Sequence, residues 1–171
     1  MAKFELMPVD GIDHNKLRDG LMNALGRTTL LGLSTLNPDG SPHANTAYFG
    51  FGEGLEIVIL TPPSTIHGVN LKRDNRAAFT FFDSHQEFGS DLIGLQAFGQ
   101  MKEENGEQGS NAFSIYSDRF PGLKDWTKSY DDVLTKLESR FFVAKLDRIK
   151  LFDESRFGKE NYITTTVKYS D

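Results

Sequence analysis

The sequence predicts a β-rich α+β fold, a small antiparallel barrel with helices added to it. Three observations carry this. Six or seven short apolar runs with strand character are separated by turn signals, among them Asn37-Pro38-Asp39-Gly40 and Gly50-Phe51-Gly52-Glu53-Gly54. Helical periodicity is confined to three places. The chain holds 14 phenylalanines, many of them in the strand-like runs, which suits a sheet core.

The elements follow in order. Asp13 is placed to cap a first helix, along which Leu17, Leu21 and Leu25 recur at four-residue spacing, and Gly26 is placed to end it. A strand from Thr28 to Leu36 runs into the Asn37–Gly40 turn, where proline presets one dihedral and glycine takes the positive one. Asn45 to Phe51 and Leu55 to Leu60 form a second hairpin about the glycine turn. Thr61-Pro62-Pro63 follows, and Ser64 opens a short helix over residues 64–73. Strands are expected from Ala77 to Phe82 and from Leu92 to Lys102, with a polar loop, His85 to Asp91, between them. After the acidic connection Glu103 to Gly109 the period changes. Phe113, Tyr116 and Phe120 share one helical face, and Trp126, Tyr130, Val133, Leu134 and Leu137 mark a second helix beyond Pro121-Gly122. Phe141 to Phe152 returns to strand character, and Ile163, Thr165, Val167 and Tyr169 alternate as a last strand. No repeat or linker divides the chain. One domain is expected over residues 1–171, with a core at about 12–104, a helical insertion at about 107–139 and closing strands at 141–169.

Composition narrows the function. A domain of 171 residues buries about two-thirds of its unfolded surface. The absence of cysteine excludes disulfides, thiolate metal sites and a cysteine nucleophile. A formal net charge of -5 argues against a general nucleic-acid surface, which needs a basic stripe. No apolar run approaches the length of a membrane span, and MAKFELMPVDG lacks the apolar core of a signal peptide, so a cytoplasmic protein is expected.

Candidate chemistry concentrates between Ser41 and Asp83. Thr61 and Ser64 lie where a strand meets a helix, whose free N–H groups suit an anion, and His67, Lys72 and Arg73 follow on that helix. Spacing alone leaves two readings, a phosphate cradle or a plain N-cap with solvated cations, and leans to the second. His14, His43 and His85 are scattered and no two histidines share metal-ligand spacing, so no zinc site is expected. The glycine segment 50–54 lacks the following helix of a dinucleotide loop and reads as a turn. Arg156, in the polar break Phe152 to Lys159, is either an anion clamp or part of a charged hairpin loop.

Taken in order, the NPDG turn, the SPHANTAYF and IVILT strands, the NLKRDNRAAF helix-to-strand unit and LIGLQAFGQMKE resemble the pyridoxamine 5′-phosphate oxidase-like family of FMN-binding split barrels. The similarity spans residues 12 to 104 and, more loosely, the final strands. The ILTPPSTIH, RFP and LDRIKLFDESRFGKE segments resemble those of small uncharacterised members. The resemblance implies a small antiparallel split β-barrel with flanking helices, a homodimer, and FMN between the subunits. It sets Asn45, Thr46, Ala47 and Tyr48 along the flavin, Thr61, Ser64 and His67 at the phosphate with Lys72 within reach, and Gln96 near the ring edge. Arg156 falls close to a family arginine that binds substrate phosphate. His67 stands where the family has a phosphate-binding lysine and Asn45 where it has an arginine, so FMN is expected to bind more weakly here. The oxidase's Arg-Leu-x-Pro ending is absent, since the chain ends TTTVKYSD, and true pyridoxamine phosphate oxidase activity is not expected. The expected function is a flavin-dependent oxidoreductase of unassigned substrate. The alternatives are a non-enzymatic binder of flavin, deazaflavin or haem, with His67 or His43 as axial ligand, and a dimer with a decayed cofactor site.

Overall fold

The structure, a computed structural model, describes residues 3–170. Along this stretch run β1 (Lys3–Leu6), α1 (His14–Gly26), β2 (Leu30–Leu36), β3 (Pro42–Phe51), β4 (Ile57–Thr61), α2 (Ile66–Arg73), β5 (Arg76–Phe82), β6 (Ile93–Glu103), α3 (Gly106–Arg119), α4 (Tyr130–Lys136), β7 (Arg140–Asp153), α5 (Glu154–Phe157) and β8 (Tyr162–Ser170). Pairing is antiparallel. It runs β7-β4-β3-β2-β5-β6 and returns from β6 to β7, which closes a six-stranded barrel. One edge of β7 changes partner along its length: Arg140 to Ala144 pairs with β4, and Arg148 to Phe152 pairs with β8. β1 then extends the sheet from β8. This is the β-rich α+β split barrel that the sequence predicts.

Local chemistry explains the first half. The Asp13 carboxylate accepts the Lys16 N–H at 2.8 Å and starts α1. Leu17, Leu21 and Leu25 then enter the core at one end of the barrel, beside Leu31, Leu33, Phe49, Phe79 and Phe81. Burying a side chain of this kind contributes roughly 1.5–3 kcal/mol. In the turn between β2 and β3, Gly40 takes φ +82° and the Asn37 N–H donates to the Ser41 carbonyl at 2.8 Å. A second apolar cluster forms outside the barrel, where α3 and α4 pack Ala112, Tyr116, Tyr130 and Val133 on Val58 of β4 and Phe141 of β7.

Some expectations are corrected. β1 was not foreseen; four residues carry too little periodicity, and the strand exists through its pairing with β8. Gly50 belongs to β3 rather than to the turn. A Cβ there would lie 3.2 Å from the Ile115 carbonyl and the Tyr116 Cα, so its absence lets α3 lie directly on the strand. Trp126 does not join the second helix. It follows a short 3-10 turn and is exposed, and α4 starts only after Ser129, whose hydroxyl accepts the Asp132 N–H at 3.2 Å.

Candidate functional site

β3 and β4 share only three pairs, Phe49–Ile59, Gly50–Val58 and Phe51–Ile57. Beyond Phe49 the two strands part, while β3 stays paired with β2 as far as Pro42. One edge of β3 over residues 44–48 therefore has no strand partner. The Phe49 N–H donates to the Thr29 carbonyl on the β2 side at 3.1 Å. Antiparallel strands alternate, so the backbone groups of Ala44, Thr46 and Tyr48 face the open edge. Unpaired edge groups of this kind are available to a ligand.

The side chains of His43, Asn45 and Ala47 share the other parity of β3. Asn45 Oδ1 is buried and has no hydrogen-bond partner, and a buried acceptor left unmet costs about 1–3 kcal/mol. Opposite, at the end of β4, the Thr61 hydroxyl is hydrogen-bonded to His67 Nε2 at 2.8 Å. The rings of His43 and His67 lie nearly parallel, with centroids 6.3 Å apart. The structure thus brings Asn45, Ala47, Thr61 and His67 together and adds His43, which the sequence offers only as an alternative axial ligand for haem. Strand alternation was the available signal, since it puts His43 on the face of Asn45.

Ser64 is corrected as the helix cap. Pro62 to Thr65 closes a turn, with the Thr65 N–H donating to the Pro62 carbonyl at 3.1 Å, and Ser64 is spent inside that turn. Thr65 is the cap instead: its hydroxyl accepts the Gly68 N–H at 3.2 Å and donates to the Pro62 carbonyl at 2.8 Å. Behind the cap, Asn70 is buried and its amide donates to Thr35 Oγ1 and Asn37 Oδ1, at 3.2 and 3.1 Å, which pins α2 to β2.

No lysine or arginine side chain among the described residues bonds to this cluster. Burial lowers the pKa of His67 below the usual histidine value, and the neighbouring His43 lowers it further. Lys72 is five residues from His67, about 7.5 Å along the helix. It lines a different groove at the far end of α2, with Asp74, Asn75, Lys102 and Phe142. Arg156 is not brought to the cluster either. Its Nε pairs at 2.8 Å with the wholly buried carboxylate of Asp153, which also accepts from Ser155 Oγ at 2.6 Å. Arg140, at the other end of β7, is the strand partner of Thr61. The length of β7, roughly 40 Å of strand contour, separates the two within one chain.

Thr46 and Gln96 point outward. Strand register sets Thr46, Gly32, Thr80 and Gln96 in one row across β3, β2, β5 and β6, with Thr46 and Gln96 roughly 14 Å apart. A Cβ on Gly32 would lie 2.5 Å from the Thr80 hydroxyl, so the floor of this row is shallow. Leu30, Tyr48, Phe82 and Phe98 stand exposed on the same outer face. Phe120 meets the Tyr48 ring edge-on at 5.6 Å. Arg119 anchors the end of α3, donating to the Leu25 and Thr28 carbonyls and lying over the Phe49 and Phe51 rings. Burial, with the neighbouring Tyr48, pushes the Tyr116 phenol up to about 12. Among the described residues no group of three or more histidine or acidic side chains is placed to hold a metal ion, and no helix is long and apolar enough to cross a membrane.

Among curated proteins none matches the sequence significantly. A haem-binding protein of Mycobacterium smegmatis superposes with a TM-score of 0.69 at 19% identity, over 86% of this chain and 56% of that protein, so the chain spans little more than half its length. A Clostridium acetobutylicum protein of the pyridoxinephosphate oxidase family, related to general stress protein 26 of B. subtilis, gives 0.65 at 16% identity over 91% and 96% of the two chains. HutZ, the haem storage protein of Vibrio cholerae, gives 0.60 at 14% identity over 87% and 94%. At these identities the likeness is one of fold. The sequence profile of pyridoxamine 5′-phosphate oxidase matches residues 19–142, most of the barrel and all of the cleft between β3 and β4, and on that match the chain belongs to the pyridoxamine 5′-phosphate oxidase family.

Proposed function

We propose that the cleft between β3 and β4 binds a flavin, FMN, and that the protein is a flavin-dependent oxidoreductase working as a cytoplasmic homodimer. The observation that carries this reading is the open edge of β3, with its free backbone groups, beside the unpartnered Asn45 Oδ1. A planar heterocycle with N–H and C=O groups on its rim suits such an edge. Asn45 and Ala47 would face it from β3 with Tyr48 at the rim, the Thr46 backbone would meet it along the open edge, and Thr61 and His67 would meet a terminal phosphate. The flavin, when bound, supplies the hydride and electron chemistry. The chain's own part is to hold the ring against β3, to keep water off it with Tyr48 and Phe120, and to orient the phosphate. The apolar outer face bearing Leu30, Tyr48, Phe82 and Phe98 supports a two-fold contact between copies. With no lysine or arginine among the described residues bonded to the cluster, the phosphate lacks charge-assisted bonds worth about 1.5–3 kcal/mol each, so FMN binds with modest affinity.

Titration of the purified protein with FMN and with riboflavin, followed by flavin fluorescence, tests this. Saturable quenching by FMN at one flavin per chain is expected. No quenching by either flavin removes the reading. A second reading, haem binding, is favoured by one observation: two imidazoles, His43 and His67, reach the same cleft. The fold neighbours that bind or store haem give it weight. A haemin titration with a sharp Soret band that disappears in His67→Ala would select it.

A further inference from the structure

His43 and His67 come from different elements, β3 and α2, and are held together by the backbone rather than by chance. Thr35 is the strand partner of His43, and the same Thr35 receives the buried amide of Asn70, one turn beyond His67 on α2. The two rings, 12° from parallel and 6.3 Å between centroids, are each half-buried. The charged groups on the surrounding elements are all otherwise engaged or remote. Arg73 of α2 donates to the Leu36 carbonyl on β2, and Asp74 is held by Arg76 of β5. Arg140 of β7, opposite Thr61, turns its guanidinium to the Leu137 and Ser139 carbonyls. Lys102 and Glu103 of β6 lie with Lys72 at the far end of α2. Neither imidazole has a carboxylate partner among the described residues, so a proton on one discourages a proton on the other.

We propose that His43 and His67 together form a two-imidazole receptor for a dianionic phosphate monoester, the terminal phosphate of the cofactor, and that His43 is its second anion contact. The proposal rests on the flavin reading above. Each protonated ring offers an N–H and a positive charge, and a dianion set against both removes the repulsion between them. Anion binding and the uptake of protons by the pair then become one event. Above pH 7 a phosphate monoester is already dianionic, its second pKa being near 6, so protons taken up there come to the protein. FMN binding should therefore take up more than one proton per site, and affinity should fall more than tenfold for each unit of rising pH. Riboflavin, which lacks the phosphate, should take up none.

The experiment measures proton uptake on mixing protein with FMN or riboflavin in weakly buffered solution at pH 7.5, alongside fluorescence titrations from pH 7 to 8.5. His43→Asn and His67→Asn should each limit uptake to one proton or less and weaken FMN binding about tenfold. His43→Lys, which brings a fixed charge, should keep FMN affinity while limiting uptake in the same way, and so guards against a folding defect in the asparagine variant. Native uptake of one proton or less, or a His43→Asn protein with native affinity and uptake, overturns the proposal while flavin binding stands. Equal affinity for FMN and riboflavin does the same. Failure of both flavins to bind overturns the proposal and the flavin reading together.

Discussion

The two helices at the ends of the barrel do opposite work. α1 drives Leu17, Leu21 and Leu25 into the core, and the polar groups beside it are spent on structure: buried Asp153 is met by Arg156, Ser155 and Asn23. α2 gives the core Leu71 and otherwise presents Asn70 and His67, next to a Thr61 hydroxyl and an Asn45 carbonyl with capacity left over. At the first end the buried nitrogen that lacks a hydrogen bond, Arg156 Nε, still lies in an ion pair with Asp153 at 2.8 Å, so stability accounts for the residues there. At the second a half-buried set of polar groups is only partly satisfied. Native proteins leave few such groups without a reason, and a ligand or catalytic role is one of them.

That contrast can be broken at either end. Leu21→Ala should cost about 2–5 kcal/mol of stability, as a cavity in a filled core does, and should leave the pH dependence of flavin affinity intact; urea denaturation measures the first and fluorescence titration the second. Asn70→Ala should cost less, about 1–3 kcal/mol, by leaving the acceptors of Thr35 and Asn37 unmet. Because Asn70 also holds α2 against β2, FMN binding should weaken with it, and an unchanged affinity would detach the cleft from the docking of α2. Thr61→Val keeps shape and removes the hydroxyl beside His67. A loss of about 0.5–1.5 kcal/mol in FMN affinity is expected, and a melting temperature that falls while affinity holds would assign Thr61 to structure alone. The smallest effect is on stability against pH. Burial lowers the pKa of His67 in the folded chain, so below about pH 6.5, the ordinary histidine value, the unfolded chain binds the extra proton more readily. Stability without ligand is then full above that value and declines as pH falls toward the folded-state pKa of His67. His67→Asn should flatten that part of the curve.

Much of the fold is legible in the sequence because local chemistry dictates it. Asp13 and the leucine spacing mark α1, and Pro38 with Gly40 fixes the β2–β3 turn. What was illegible depends on contacts between distant segments. Trp126 fits the period of α4 but is left 74% exposed, because the chain turns at Pro121 and restarts its helix at Ser129. Ser64 and Thr65 are equally good caps by composition, and only the closed turn at Pro62 decides between them. Of the candidate site, Asn45, Ala47, Thr61 and His67 converge in the cleft. Thr46 and Gln96 lie on the outer face, Tyr48 reaches its rim, and Lys72 and Arg156 stand elsewhere. His43 enters the sequence reading only as an alternative haem ligand: strand alternation puts it on the face of Asn45, but its pairing with His67 is made by the docking of α2, a contact between distant segments.

The pairing of β1 with β8 sets residue 3 against residue 170. No contact in the described chain spans more sequence, and closing a loop of that length costs conformational entropy that nearby contacts do not. During synthesis the outer sheet cannot be completed until residue 170 has left the ribosome, whereas the hairpins from β2 to β6 form from chain already made. The outer margin should accordingly be the last part to acquire protection from hydrogen exchange during refolding and the first to lose it on warming, while the cleft between β3 and β4, built wholly from the earlier part, keeps its shape.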